Sequence, residues 1–486
     1  MKRRTFCVLG AAGLAGFACR RDVSQEGEQN SFVRVSPRDR RYFELSDGSP
    51  FIPVGLNIAF PRFDYEERSV LEKLEERFRN LAANGGNLVR IWMGHPFYDV
   101  EHEFSGKYDS IKLRRIDRAI ALARRYGIRL TLCFEHFRNL GEEPPEFPGA
   151  PGFGKPIHHV SRGGPAKNMT EFLTSPKCRE RFKKKIAWFA QRYRDEPAVF
   201  AWELWHEINE VAGDGWREWT REMLGELHRR FPHHLATQSV GRLDMFRKRL
   251  LYSPIWSMPE NDIAQVHQYL DGASELEVCR GPMDILAADA VRTVLSLDVN
   301  KPVLLAETGA VEAGTEAPSK LYELDLAGTM LHDILFAPFF AGSGGSGQAG
   351  HWYFYVEKNN LWDHFARFAE VVQGLDPPGE AFQAGQVQTD RLRIYCLRGR
   401  KTFLAWVRDK QADWRAELLD GRITPVRGAL LDLKELADGP LPGPPRVYDP
   451  WKNRWTDAPV VDGRLELPEF LRSLVIRAGT SPAGAA

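Results

Sequence analysis

The chain of 486 residues has no excess of either charge, few cysteines and no hydrophobic run long enough to cross a bilayer, and each shortage removes a class of protein. Lys plus Arg number 66 against 65 for Asp plus Glu, a net charge of +1. The short basic runs Arg38–Arg41 and Arg179–Lys185 lie beside acidic residues and read as solvated faces, so no nucleic-acid or other polyanionic partner is implied. Beyond the N-terminal segment the cysteines are Cys133, Cys178, Cys279 and Cys396. None has CxxC spacing, so no metal or redox motif is read. The apolar run Phe6–Ala18 is too short for a membrane helix.

That run follows Lys2-Arg3-Arg4, and the pair reads as a signal peptide over residues 1–18, with export to the periplasm, cell surface or exterior expected. Arg3-Arg4-Thr5-Phe6 resembles a twin-arginine signal. Cys19 stands where a lipoprotein would be cleaved and lipidated, the only membrane attachment foreseen; cleavage before an unmodified Cys19 is the alternative. Residues 19–41 have the polar composition of a tether.

What is plentiful is aromatic surface and βα alternation. With 43% hydrophobic residues the chain can bury a large core. The 13 Trp, 13 Tyr and 29 Phe suit a sugar-binding protein, although most belong to the core. Phe43–Phe51 carries an Asp-Gly turn and reads as a lid hairpin ahead of the strand Ile52–Asn57. Apolar strands then alternate with helices: strands at 87–92, 128–134, 198–202, 235–240, 262–266, 303–306 and 350–356, and helices at 65–83, 111–126, 170–193, 216–231, 282–297, 317–336 and 360–373. Eight such units predict a (β/α)8 TIM barrel over residues 42–378, with active residues at the carboxyl ends of the strands. The proline-rich stretch between His136 and Thr170 would wall the cleft. Residues 385–479 read as a small all-β sandwich packed on the barrel. Trp406, Trp414, Trp451 and Trp455 lie there, as core or as a carbohydrate-binding face.

Two glutamates close apolar runs: Glu207 after Phe200-Ala-Trp-Glu-Leu-Trp-His206, and Glu307 after Lys301-Pro-Val-Leu-Leu-Ala306. A pair of carboxylates at strand ends is the minimum equipment for breaking a glycosidic bond. Glu203, on the same run, is expected to point the other way and serve structure. His206-Glu-Ile-Asn-Glu210 is half of a zinc-protease HExxH but lacks the second histidine. Gly342-Ser-Gly-Gly-Ser-Gly347 fits GxGxxG yet precedes a strand, and reads as a flexible loop on the active-site side. No metal or organic cofactor is implied.

Trp202-Glu-Leu-Trp-His-Glu207 resembles the strand-four motif Trp-Glu-Leu-x-Asn-Glu of clan A retaining glycoside hydrolases, specifically glycoside hydrolase family 5, the cellulases and mannanases. Leu305-Ala-Glu-Thr-Gly309 resembles the strand-seven nucleophile segment, Val89-Arg90 the strand-two arginine, Glu135-His136 the strand-three histidine, His267-Gln-Tyr269 the strand-six His-x-Tyr, and Trp352 the strand-eight aromatic. The resemblance implies an enzyme cleaving O-glycosidic bonds of an oligo- or polysaccharide through a covalent intermediate. Glu307 would be the nucleophile, kept ionised by Arg90 and hydrogen-bonded by Tyr269. Glu207 would be the acid/base, protonated more readily for want of such a partner. Arg90, Trp92, His136, His206, His267, Tyr269 and Trp352 would bind substrate. The departure is His206, where the family has the Asn that holds the sugar 2-hydroxyl; it leaves a non-catalytic glycan-binding barrel, or a transglycosylase, as alternatives.

Overall fold

The computed structural model describes residues 30–61, 66–136, 157–211, 213–241 and 246–479. The signal segment, Cys19 and the tether up to residue 29 lie outside the described residues, as does the proline-rich part of the stretch after His136; the rest of the expected tether, residues 30–41, is described and contains the strand Val33–Val35. Five strands, β1 (Gly55–Asn57), β2 (Leu88–Trp92), β3 (Arg129–His136), β4 (Val199–His206) and β5 (Leu235–Thr237), form a parallel sheet in chain order. β6 (Ala264–Leu270) and β7 (Val303–Ala310) form a second parallel pair. Every residue of these strands is buried, as expected where helices cover the outer face and the barrel core fills the inner one.

The sequence placed an eighth strand at 350–356, but residues 352–357 form a wide helical turn. The barrel is closed instead by the glycine-rich stretch read as a flexible loop. Gly344 N donates to Val303 O at 3.0 Å, Gln348 N to Leu305 O at 3.0 Å and Gly350 N to Thr308 O at 2.8 Å, while Ala349 O accepts from Asn57 N at 3.1 Å. Residues 343–350 are therefore the seam between β7 and β1, and they are buried except Gly350's neighbour His351, which is half-exposed. Small residues are required here because a Cβ on Gly345 would lie 2.5 Å from Pro53 O, and one on Gly347 2.3 Å from Ile334 O. The apolar-run signal that finds the other strands is absent where the backbone itself does the packing.

The lid hairpin also lies elsewhere. Phe43–Leu45 and Pro50–Phe51 pair antiparallel, with Val33–Val35 added on the other edge. Val33, Phe43 and Leu45 share a core cluster with Leu88, Phe200, Leu235 and Leu304 from the amino ends of the strands. The hairpin closes the barrel floor, opposite the carboxyl ends.

Helices α1 (Glu67–Ala83), α2 (Ser110–Arg125), α3 (Pro176–Tyr193), α4 (Trp216–Arg230), α5 (Met283–Leu295), α6 (Thr329–Phe340) and α7 (Asp363–Val372) surround the strands. α1 buries Val70, Leu71, Leu74, Phe78 and Leu81, and its N-cap Glu66 accepts from the amides of Arg68 and Ser69. The expected helix 170–193 is broken into Met169–Thr174 and α3, because Ser175 is extended before Pro176. The expected helix 317–336 is divided likewise: Asp325 accepts from the amides of Thr329 and Met330 (2.8 and 2.9 Å) and starts α6 afresh.

All residues of α6 are buried, since the barrel covers one side and the C-terminal domain the other. That domain has a six-stranded antiparallel sheet in the order Gln383–Gln388, Leu392–Arg398, Thr402–Asp409, Ser473–Gly479, Arg446–Asp449, Arg454–Asp457. Alternation sorts its two faces. Tyr395, Leu397, Leu404, Trp406 and Val475 join the barrel core. Ile394, Cys396, Ala405, Val407, Leu474 and Ile476 pack instead with Leu431, Leu465 and Phe470. The opposing sheet has only three short strands, Leu430–Asp432, Arg464–Glu466 and Val460–Val461, so the sandwich is lopsided. Trp406 lies against Phe336 and Tyr395, Trp451 against His332, and Trp455 Nε1 donates to Glu370 at 2.7 Å. These three tryptophans face the barrel.

Two buried ion pairs fasten the domains. Arg393 meets Asp284 of α5 through both carboxylate oxygens (2.7 and 2.8 Å), and Arg408 meets Asp333 of α6 at 2.8 and 3.0 Å. Arg408→Ala should therefore cost about 3–5 kcal/mol, since it strands the buried Asp333 carboxylate. Removing the domain from Gln383 onward should yield insoluble protein by exposing α6. Denaturant melts and the soluble yield check the two outcomes; a loss under 1 kcal/mol for Arg408→Ala would contradict the first.

Candidate active site

Arg90, in the middle of β2, extends inside the barrel. Its Nε and Nη2 donate to Glu203 Oε2 and Oε1, both at 2.7 Å, and Nη1 donates to Glu307 Oε2 at 2.9 Å. Burial works against its charge, but Glu203 and Glu307 more than compensate and raise its pKa. Glu203 thus faces the barrel interior, correcting the expectation that it points away. Trp202 and Trp205 pack outward against Phe231 and Trp219, while Glu203 and His206 turn inward, so simple alternation breaks between Glu203 and Trp205.

Arg90 Nη2 also lies 2.9 Å from His206 Nδ1. A guanidinium only donates, so Nδ1 accepts and the neutral ring carries its proton on Nε2. Burial, with Arg90 adding to it, keeps His206 well below the ordinary histidine pKa. Trp92 packs on the ring at 4.1 Å between centroids, and His136 stacks at 5.4 Å. His206 Nε2 then points a proton toward Glu207 Oε2, 3.6 Å away. His206, Glu207 and His267 lie close enough together to surround a cation. The Arg90 contact, however, makes His206 present a proton there instead of a lone pair.

Glu207 ends β4 with φ 51°, the left-handed region that a non-glycine residue enters at a cost of about 1–3 kcal/mol. Its amide donates to Ser239 Oγ (3.1 Å), beyond β5, which holds the turn. Its Oε1 meets His267 Nδ1 at 2.7 Å. Glu207 therefore has a partner of its own, contrary to the sequence-based expectation. Burial lowers the His267 pKa to about 4, so the ring is neutral in ordinary buffers. Its Nε2 has no partner among the described residues. His267 can thus donate to an ionised Glu207 or accept from a protonated one.

Glu307 stands on β7 with Tyr269 OH donating to its Oε1 at 2.6 Å. Burial raises its pKa; Glu207 adds to the rise, while His267, Arg90 and Tyr269 oppose it. Arg90 touches Glu307 and favours its ionised form, as expected, although burial makes the net direction upward. Glu203 takes two of the guanidinium's N–H groups, which leaves Glu307 the smaller share. His267 Nδ1, 2.7 Å from Glu207 Oε1, is 4.0 Å from Glu307 Oε2, so those two oxygens are at most about 7 Å apart. Glu207 and Glu307 are 7% and 8% exposed, whereas His206 and His267 are at 1% and 0%: the carboxylates face the opening and the rings lie beneath.

His136 stacks on Trp92 (4.2 Å) while Glu135 turns aside to Lys185 Nζ at 2.6 Å. Trp352 is brought in through Phe60, which contacts both Trp92 and Trp352 at 5.2 Å. The sequence reading assigned no role to Asn57, Ser239, Gly241 or Gly350. Asn57 Oδ1 accepts from Arg90 at 3.3 Å. A Cβ on Gly241 would sit 2.8 Å from Glu207 Cδ, and one on Gly350 2.1 Å from Tyr269 OH. Only the strand-end position of Asn57 could have been noticed; Ser239 and the glycines carry no local signal.

A (β/α)8 barrel with a carboxylate pair at the ends of β4 and β7 defines the class, and the comparisons agree. The profile described as cellulase (glycosyl hydrolase family 5) matches residues 55–330, more than half of the chain, and the chain belongs to that family. Mannan endo-1,4-beta-mannosidase 5 of Solanum lycopersicum is 28% identical over 279 residues, covering 52% of this chain and 65% of its own length. Mannan endo-1,4-beta-mannosidase 7 of Arabidopsis thaliana is 23% identical over 298 residues, with 54% and 65% covered. The chain thus spans just under two thirds of these relatives. A glycoside hydrolase family 5 crystal structure from Bacteroides vulgatus superposes with TM-score 0.59 at 14% identity, covering 94% of this chain and 95% of that one, and shares the fold.

Tyr269→Phe removes a hydrogen bond that favours ionised Glu307. If ionised Glu307 is required, the acid limb of the kcat/KM profile should move to higher pH, with folding retained. An unmoved limb would show that another group governs it.

Proposed function

We propose that the chain is a retaining glycoside hydrolase acting on a β-linked glycan, with Glu307 as nucleophile and Glu207 as general acid/base. The observation that carries this is the pair of carboxylates at one barrel mouth, one oxygen of each within about 7 Å of the other, which admits the roughly 5–5.5 Å separation of retaining enzymes. In the first step a Glu307 oxygen attacks the anomeric carbon while Glu207 gives its proton to the glycosidic oxygen, and the C–O bond to the leaving sugar breaks. In the second, Glu207 takes a proton from water, the water oxygen attacks the same carbon, and Glu307 leaves as carboxylate. His267 holds Glu207 Oε1 in place against the reacting bond. Arg90 and Tyr269 hold Glu307 in line, and His206 offers Nε2–H to a hydroxyl near the reacting carbon. The mannosidase relatives favour a β-1,4-mannan substrate. Trp92 and Trp352 supply aromatic faces for the sugar, and His136 buttresses Trp92.

A non-catalytic reading would need His206 to occupy the sugar's place. Its burial beneath the more exposed carboxylates favours turnover. We also propose export through the segment 1–18, and fatty-acid labelling at Cys19 separates a lipid anchor from free secretion.

Among β-mannan, β-glucan and β-xylan, mannan should be hydrolysed fastest. A slow 2-fluoro glycoside should label the peptide containing Glu307, and Glu307→Ala should lose roughly 10⁴-fold or more in kcat. Product of inverted configuration would overturn the assignment of Glu307. His206→Asn should fold normally while changing kcat or the preference among the three glycans; identical kinetics on all of them would remove His206 from recognition.

A further inference from the structure

The fourth tryptophan of the C-terminal domain is placed differently from the other three. Trp414 is half-buried beside the loops that follow β6 and β7, its Nε1 donating to Gly281 O at 2.9 Å. Next to it is a cavity of about 220 Å³ with apolar walls from Leu270, Val311 and Trp414 and polar groups from Arg280, Glu312 and Arg415. Leu270 directly follows Tyr269, and Val311 comes four residues after Glu307 on the same strand line, about 13 Å onward in extended chain. The cavity therefore lies beside the proposed cleft, at the junction of the two domains.

Its walls are fixed without a ligand. Asp271 Oδ1 accepts from Ala273 N at 2.8 Å and from Gly314 N at 2.9 Å, tying the two barrel loops together. Glu312 Oε1 accepts from Lys320 N at 2.6 Å. Arg415 lies over the Trp414 ring, 4.9 Å from its centroid, and donates to Arg280 O at 2.9 Å. The Arg280 side chain is exposed and has no ion pair among the described residues. An indole edge, guanidinium forks and a carboxylate around one small cavity match a sugar ring, which has an apolar C–H face and a rim of hydroxyls that donate and accept.

We infer that this cavity is a distal glycan subsite, built jointly by the barrel and the C-terminal domain, which takes a pyranose residue of a chain whose reacting bond lies between Glu207 and Glu307. The inference rests on the glycosidase reading of those two residues. It gives the C-terminal domain a part in substrate binding beyond covering α6.

The test is calorimetry on the Glu307→Ala chain, which reads binding without turnover, using β-1,4-linked manno-oligosaccharides of two to six residues. Affinity should rise with length in this parent. In the Arg280→Ala/Glu312→Ala double variant of it, the gain from the longer chains should shrink about tenfold, the loss expected for hydrogen bonds to charged groups. The Arg280→Ala single variant should melt with the parent, because that side chain is exposed, and should show part of the same loss, which separates a lost contact from a disturbed wall where Glu312 no longer holds the Lys320 amide. The same length dependence in both proteins, or no binding of any oligosaccharide, would overturn the subsite. The glycosidase reading fails separately, if the wild-type chain turns over no glycan.

Discussion

The buried guanidinium of Arg90 is the group on which the site depends. It spends its two most favourable donors on Glu203 and the remaining N–H groups on Glu307, Asn57, His206 and Ser239. These residues come from β1, β4, β7 and the segment after β5, so one side chain on β2 fixes the relative position of much of the barrel mouth. A lysine could not do this, since an ammonium lacks the planar fork that grips a carboxylate with one edge and leaves the other free. The pair with Glu203 is the condition for the rest: without it Arg90 would be free to turn fully to Glu307, and its Nη2 would no longer select the His206 tautomer.

The sharing has an electrostatic consequence. One positive charge is divided between Glu203 and Glu307 with Glu207 nearby, and Glu307 is left short of compensation, so burial prevails and its pKa rises. A carboxylate at a site of excess negative charge is a stronger base, and in the mechanism proposed above ester formation would relieve it. Glu207 is treated otherwise, with a ring that can donate or accept and a strained backbone that aims it. Small residues then set the clearances: Gly241 against Glu207 and Gly350 against Tyr269.

How much of this was legible follows from where each signal resides. β4 and β7 are apolar runs ending in charge, and both glutamates could be read because buried parallel strands leave polar groups at their carboxyl ends. The amphipathic α1 was equally plain. Residues 343–350 were not, because a strand packed through its backbone has no apolar side chains to show. The inward turn of Glu203 agrees with its even spacing from Glu207, which puts both on one face in simple alternation, whereas the Glu207–His267 contact joins residues sixty positions apart and carries no local signal. The direction of the Glu307 shift could not be read either, since it depends on how many donors a third residue takes first.

The same reasoning explains why the C-terminal domain cannot be regarded as an appendage. α6 is apolar on every side, so its sequence already requires a second covering layer. Arg393 and Arg408 then neutralise Asp284 and Asp333, carboxylates that would otherwise be buried without cations. Charges paired across a boundary fix its register more sharply than apolar contact alone, because a small slide separates them. That register places Trp414 and Arg415 beside the loops after β6 and β7, where they can act on whatever occupies the cleft. Packing demanded by one helix thus carries a distant part of the chain to the rim of the site.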